Sequence, residues 1–224
     1  MPFEIVRNDI VNMKVDAIVN TANPLPVIGF GVDAGIHKKA GPNLLEERLK
    51  IGKIKVGKSA ITPAFDLDAK YVIHTVGPLW QGGEYKEEKL LRSSYESALK
   101  LAARNNCQSI AFPLISAGNH GFPKTLALEI AVNTFSKFLM KHDMKIYLVV
   151  FSRDAFSLSE KLLNSVSSYI DDNYITEKIL DEYGVSDKCS VRDISKITLT
   201  INLQNPPQLP LPSPWSLVLR KQGT

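Results

Sequence analysis

Cysteine is nearly absent from this chain: Cys107 and Cys189 are the only two in 224 residues, too few and too far apart for a disulfide framework or a metal cluster. No metal is therefore expected, and a reducing compartment, the cytoplasm, is the natural setting. No apolar run approaches the roughly 18 residues that a membrane-spanning helix requires, and no charged-then-apolar leader opens the chain. A soluble protein with no membrane partner is expected. Charge of one sign is also lacking, since Lys and Arg number 27 against 23 Asp and Glu. No basic run or basic stripe with interleaved aromatics occurs, so a nucleic-acid partner is not suggested, although the mild positive balance suits an anionic ligand.

What is present is enough apolar material, 44% of residues, for one good-sized domain with an appendage. Strand and helix signals alternate. Phe3 to Arg7 and Asp16 to Val19 read as strands, with Asn8, Asp9 and Ile10 in a turn between them. A helix from about Asp33 passes Ile36 and Ala40, breaks at Gly41 and Pro42, and resumes through Leu44, Leu45 and Leu49. Ser59 to Thr62 and Tyr71 to Thr75 are short strands, and Glu87 to Arg104 is a helix with Leu91, Tyr95, Ala98 and Ala102 on one face. Ser109 to Pro113 is a buried strand, and Leu126 to Phe138 marks a helix. Ile146 to Phe151 is a wholly apolar strand, and Leu158, Leu162, Val166 and Tyr169 mark a last helix. Such alternation predicts an α/β sheet covered on both faces. Beyond about Asp172 the character changes. Tyr174 to Tyr183 reads as a short helix and Lys196 to Leu203 as a strand, while Asn205 to Pro214 holds five prolines in ten residues, extended chain that cannot join a sheet interior. The expected division is therefore a domain over 1–172 and a partly proline-rich C-terminal extension over 173–224. The extension is a plain tail or a peptide for a proline-binding protein partner.

The chain is organised around residues 15–42. A strand runs into a loop carrying Asn20, Asn23, Gly29 and Gly31, and the loop runs into a helix near Asp33. A helix N-terminus preceded by glycines is a place for an anionic ligand, because unpaired N–H groups and close-approaching backbone meet there. Asp33 is either the cap of that helix or a carboxylate held at the mouth of a site. A second loop, Ser116, Ala117, Gly118, Asn119, His120 and Gly121, follows the Ser109 to Pro113 strand, where open α/β sheets place their ligands. Two such loops can grip a diphosphate from opposite sides.

The run VDAIVNTANP, then GFGVD, then IHKKAGP, followed by ISAGNHGFP, resembles the macrodomain family, the module that binds ADP-ribose. The resemblance covers about residues 3 to 171. It implies a three-layer α/β/α sandwich with a central mixed sheet, carrying here a proline-rich C-terminal appendage. It implies an ADP-ribose site made from Asp9, Ile10, Asn20, Gly29, Phe30, Gly31, Val32, Ser116, Ala117, Gly118, Asn119, His120, Gly121 and Phe151. Asp9 would accept from the adenine amino group, a task for a group that only accepts hydrogen bonds, although a cap or turn role explains it equally. Phe151 would lie against the adenine face, or is simply core. His120 stands where the family carries an aromatic over the distal ribose. It could stack there, act as an acid or base, or be a loop histidine without chemistry. His74 reads as a satisfied core histidine, and Trp80, Gly82 and Gly83 have no evident role.

The resemblance further implies hydrolysis of ADP-ribosyl esters, either mono-ADP-ribosyl-protein or O-acetyl-ADP-ribose. Asn23 would fix the distal ribose and Asp33 would orient or deprotonate a water, with no cofactor. The alternative is a module that binds ADP-ribose without turning it over. One departure is plain: macrodomains commonly carry three or four consecutive glycines where this chain reads Ile28, Gly29, Phe30, Gly31. Phe30 either packs outward or walls the distal site.

Overall fold

The computed structural model describes residues 2–152, 155, 157, 159, 167, 168 and 170–183. Seven strands form one sheet: β1 (Phe3–Arg7), β2 (Ala17–Thr21), β3 (Ser59–Pro63), β4 (Tyr71–Thr75), β5 (Ser109–Pro113), β6 (Lys145–Val150) and β7 (Ser167–Ser168), in the order β3-β4-β2-β5-β6-β1-β7. All neighbours are parallel except β3 against β4, so the sheet is mixed. Helices α1 (Val32–Ala40), α2 (Asn43–Ile51), α3 (Glu87–Arg104) and α4 (Lys124–Leu139) complete a three-layer α/β/α sandwich.

The period-2 alternation of the strands sorts two cores. Ile5, Val19, Ile73, Phe112 and Leu148 face the layer of α3 and α4, where Tyr95, Phe112 and Phe135 form an aromatic cluster with centroids 4.8–5.6 Å apart. Val6, Ile18, Val72 and Ala111 face the layer of Ile36, Ala40 and Leu44. Asp16 closes the start of β2 onto β5: its Oδ2 accepts from the amides of Gln108 at 2.7 Å and Ser109 at 3.1 Å. The Lys70 hydrogen bond lowers its pKa, and these two amides add to the effect.

Two expectations change and one gains detail. The broken helix resumes through Leu44, Leu45 and Leu49 as expected; its buried face is Leu44 and Arg48, an i, i+4 pair, while Leu49 is 54% exposed. The apolar strand expected through Phe151 ends at Val150. Ala155, Ser157 and Ser159 are helical, but the helix expected to continue through Tyr169 is over by Ser167, which pairs with Val6 at the free edge of β1. Helix α5 (Asp172–Tyr183) follows. Residue contacts divide the chain after Ile175. The strand expected at Lys196 to Leu203 and the proline-rich stretch lie outside the described residues.

Candidate active site

The carboxyl ends of β2, β5, β6 and β1 carry the loops that the sequence singled out. In the first loop, Gly31 rather than Asp33 caps α1. Asp33 sits in the first helical turn and is only 3% exposed, so its carboxylate is a buried group rather than one at an open mouth. Each oxygen is held. Oδ1 accepts from Asn20 Nδ2 at 2.5 Å, and Oδ2 accepts from the amide of Gly29 at 2.5 Å.

Behind Asp33 lies a relay into the sheet. Asn20 Nδ2 also donates to His74 Nδ1 at 3.2 Å, and His74 Nε2 meets Thr62 Oγ1 at 3.0 Å. Because the Asn20 amide can only donate toward the carboxylate, His74 Nδ1 is an acceptor and its proton is on Nε2. Burial, with Arg48 and His37 adding to it, pushes the His74 pKa down to about 3, so the imidazole is neutral. Asn20 is completely buried and holds Asp33 from behind. His74 is a satisfied core histidine, but one that supports the site.

On the other side of Asp33, His37 Nε2 lies 3.6 Å from Oδ1. Burial lowers the His37 pKa; the Asp33 charge opposes this and the Arg48 charge adds to it. Arg48, 2% exposed, hydrogen-bonds Gly52 O and donates to the carbonyls of Asn23 at 3.1 Å and Pro24 at 3.3 Å. It thereby ties α2 to the loop that presents Asn23. Sequence reasoning passed over both His37 and Arg48. Their spacing, four residues after Asp33 and after Leu44, was the available signal.

Asn23 donates from Nδ2 to Val27 O at 3.1 Å. A Cβ placed on Gly29 would lie 2.9 Å from Asn23 Nδ2 and 3.3 Å from Asp33 Oδ2. The amide and the carboxylate therefore flank the same glycine, and only glycine leaves room between them. Phe30 is 71% exposed, its ring in solvent, and Leu25, Val27 and Ile28 are exposed beside it in sequence. Val32 is half-buried against the core of α1.

The second loop is built from backbone. Tyr95, wholly buried, accepts from the amide of Ile115 at 3.0 Å, and Ser116 then takes a left-handed φ of 64° that a non-glycine residue adopts only under constraint. Gly77 leaves the room for this turn: a Cβ there would stand 2.3 Å from Ser116 Oγ and 2.6 Å from Ile115 Cγ2. Gly77, inside TVGP, had not been singled out. The loop closes on itself through Ala117 N to Leu114 O, Gly121 N to Gly118 O and Phe122 N to Ser116 O, none of which uses the amides of Gly118, Asn119 or His120. Gly118, Asn119 and Gly121 are exposed and Ala117 is half-buried. His120 Nδ1 lies 3.1 Å from Pro78 O and so carries a proton. Trp80 does have a role: its amide donates to His120 O at 2.9 Å, and its ring packs at a tilt against Phe122, centroids 4.6 Å apart. Glu87 holds the glycine-containing turn after it, accepting from the amides of Gln81, Gly83 and Tyr85. Burial pushes the Glu87 pKa up, but its own amide together with these three outweighs it and the net shift is downward.

Asp9 does cap a single 3-10 turn, Ile10–Asn12, through Oδ1 and the Val11 amide at 3.2 Å. Its Oδ2 accepts from the hydroxyl of Tyr174 at 2.9 Å. Ile10 is 4% exposed and Phe151, just past β6, is half-buried. A shallow cavity of about 200 Å³ between β3 and α3, lined by Ser59, Glu96, Lys100 and Arg104 among others, shares no residue with these loops.

Three buried polar atoms, Asn20 Oδ1, His37 Nδ1 and Ser116 Oγ, have no hydrogen-bond partner among the described residues. Buried polar groups are rarely left so. Among the described residues no group of His, Cys, Asp and Glu could hold a metal ion, and no helix is long and apolar enough to cross a membrane.

A mixed α/β/α sandwich with two small-residue loops at the carboxyl ends of its parallel strands defines a ligand-binding α/β protein. Comparison with known proteins narrows the class. The Macro domain profile matches residues 19–131. The O-acetyl-ADP-ribose deacetylase of Escherichia coli (strain K12) is 46% identical over 165 residues, 71% of this chain and 93% of that protein. Among solved structures, a variant of the Oceanobacillus iheyensis macrodomain with ADPR aligns at a TM-score of 0.68 and 37% identity, covering 71% of this chain and 91% of that one. The Trypanosoma brucei macrodomain in complex with ADP-ribose aligns at 0.67 and 36% identity, covering 71% and 68%. The chain belongs to the macrodomain family.

Proposed function

We propose that this protein binds ADP-ribose across the two loops and hydrolyses esters of its distal ribose, O-acetyl-ADP-ribose or the ADP-ribosyl esters of acidic side chains. The observation that carries this reading is the pairing at Gly29, where the Asn23 amide and the Asp33 carboxylate flank one glycine while a buried relay holds Asp33 from behind. Similarity to the bacterial deacetylase and to a macrodomain in complex with ADP-ribose supports it.

In this reading the diphosphate lies between the amides of the first loop at the start of α1 and those of Gly118 to His120, all backbone donors suited to an anion. Asp9 accepts from the adenine amino group, with Phe151 against the base. Asn23 both donates to and accepts from ribose hydroxyls. Each Asp33 oxygen already receives one hydrogen bond and keeps a lone pair, so the carboxylate can take the proton of a water that attacks the acyl carbon. The acyl C–O bond then breaks, and the ribose oxygen leaves with a proton. The fixed carboxylate costs no reorganisation during the step. His120 stands beside the distal ribose. The reducing cytoplasm is the setting of such chemistry. The chain after Ile175, a unit separate from this domain, is available to a protein partner.

Incubating the full chain with O-acetyl-ADP-ribose and with an ADP-ribosylated glutamyl peptide tests the proposal. Release of ADP-ribose from either is expected. Tight ADP-ribose binding with no release from both would make the protein a reader of the nucleotide.

A further inference from the structure

The hydroxyl of Tyr174, in the first turn of α5, donates to Asp9 Oδ2 at 2.9 Å and accepts from Asn12 Nδ2 at 3.2 Å. The other oxygen of Asp9 is committed to the Val11 amide that starts the 3-10 turn. Tyr174 therefore holds the other oxygen, Oδ2. The turn that brings it there is anchored on the same strand end. Asp172 pairs with Arg7, the last residue of β1, and the Tyr174 amide donates to Asp171 Oδ1 at 2.9 Å. What Asp9 meets is a flat aromatic ring with one in-plane donor at hydrogen-bond distance. An adenine presents the same thing through its amino group.

We propose that Tyr174 is a built-in occupant of the base subsite: its hydroxyl holds Asp9 Oδ2 in the free protein, and the adenine of a bound nucleotide takes that oxygen and displaces it. The inference rests on the assignment of Asp9 to the adenine amino group made above. It makes Tyr174 a residue that sets nucleotide affinity, because a site open only part of the time binds more weakly in proportion to that fraction. It also gives the chain beyond Asp171 a reason to sense whether the site is filled, since the residue that leaves Asp9 belongs to the first turn of α5.

Calorimetry with ADP-ribose on the full chain, its Tyr174→Phe variant and its Asp172→Asn variant tests this. Phenylalanine keeps the ring and removes only the donor, and binding about threefold to tenfold tighter than in the unmodified chain is expected. Asp172→Asn keeps the hydroxyl and loosens the turn, so a smaller gain in the same direction is expected. In an Asp9→Ala background, Tyr174→Phe should change affinity by less than about twofold, because the gain runs through Asp9. Hydrogen exchange supplies a readout independent of affinity: the amides of residues 172–175 should exchange faster when ADP-ribose saturates the protein. If the unmodified chain binds ADP-ribose and Tyr174→Phe binds equally or more weakly, or if ligand protects those amides, the inference falls and the assigned ligand stands. If neither protein binds ADP-ribose, both fall.

Discussion

Two carboxylates stand at opposite ends of the proposed site, and they are held in different ways. Asp33 is 3% exposed and fixed by groups that cannot leave: the amide of Gly29, and Asn20 backed by His74 and Thr62 on two strands. Asp9 is half-buried, and besides its own 3-10 turn it is held by a tyrosine 165 residues away in the sequence, on a helix that follows the sheet. A group that must present one geometry to a reacting water is served by a rigid surround. A group that only recognises a ligand tolerates a partner that can be exchanged. One end of the site is thus organised for chemistry and the other for exchange of hydrogen-bond partners.

The sharpest way to test that contrast is to remove each carboxylate in turn. Asp33→Ala is expected to lower turnover on O-acetyl-ADP-ribose by at least about a hundredfold while ADP-ribose affinity stays within about tenfold, since a group acting on the water is felt mainly in the rate. Unchanged turnover would take Asp33 out of the mechanism. The rigidity of the Asp33 end can be read from acid titration. The folded pKa of His74, about 3, is below its ordinary 6.5, so the folded state carries fewer protons between those values. Stability that is complete above pH 6.5 is therefore lost as pH falls, at about 1.4 kcal/mol per unit, or about 2 kcal/mol at pH 5. His37, lowered mainly by burial, acts in the same direction. Denaturant unfolding at pH 7 and pH 5 would show it, and His74→Gln should flatten the dependence.

At the other end, Asp9→Ala should weaken ADP-ribose by roughly 1–3 kcal/mol, the cost of a lost charge-assisted hydrogen bond, with turnover at saturation little changed. A neutral result would move the adenine elsewhere. Phe30→Gly is expected to change affinity and turnover by less than about tenfold, roughly 1.4 kcal/mol, because its ring is in solvent. A large gain confined to bulky ADP-ribosylated proteins would show instead that Phe30 gates the distal ribose. The smallest effect is expected from ending the chain after Asn173. This leaves all seven strands in place and should shift the melting temperature by no more than about 4 °C, a loss of roughly 1 kcal/mol. By removing Tyr174 it should reproduce the gain in affinity expected of Tyr174→Phe. An unfolded product would place part of the core beyond residue 173.

Local signals were sufficient for most of the fold. Apolar period and glycine and proline punctuation located β1, β3 to β5 and α1 to α4 to within a few residues, because each buries a regular face and the chain breaks where Gly41, Pro42 and Pro123 interrupt it. The loop composition around Asn23, Gly29 and Asp33 also marked one end of the site, since a strand, a small-residue loop and a helix start are contiguous in sequence. What lay beyond reach were the partners that meet only in three dimensions. That Asn20 is wholly buried and serves Asp33, that His74 and Thr62 stand behind it, and that Gly77 leaves the space for Ser116 all depend on neighbouring strands and loops coming together. Arg48 reads as an ordinary surface arginine until the carbonyls of Asn23 and Pro24 are found beside it. The meeting of Tyr174 with Asp9 is the extreme case. No periodicity or motif links residues so far apart, and only the parallel addition of β7 beside β1 brings the chain back to that corner. Side-chain spacing along a strand or helix is a local property of the chain, whereas a hydrogen bond between distant residues exists only once the sheet order has been chosen.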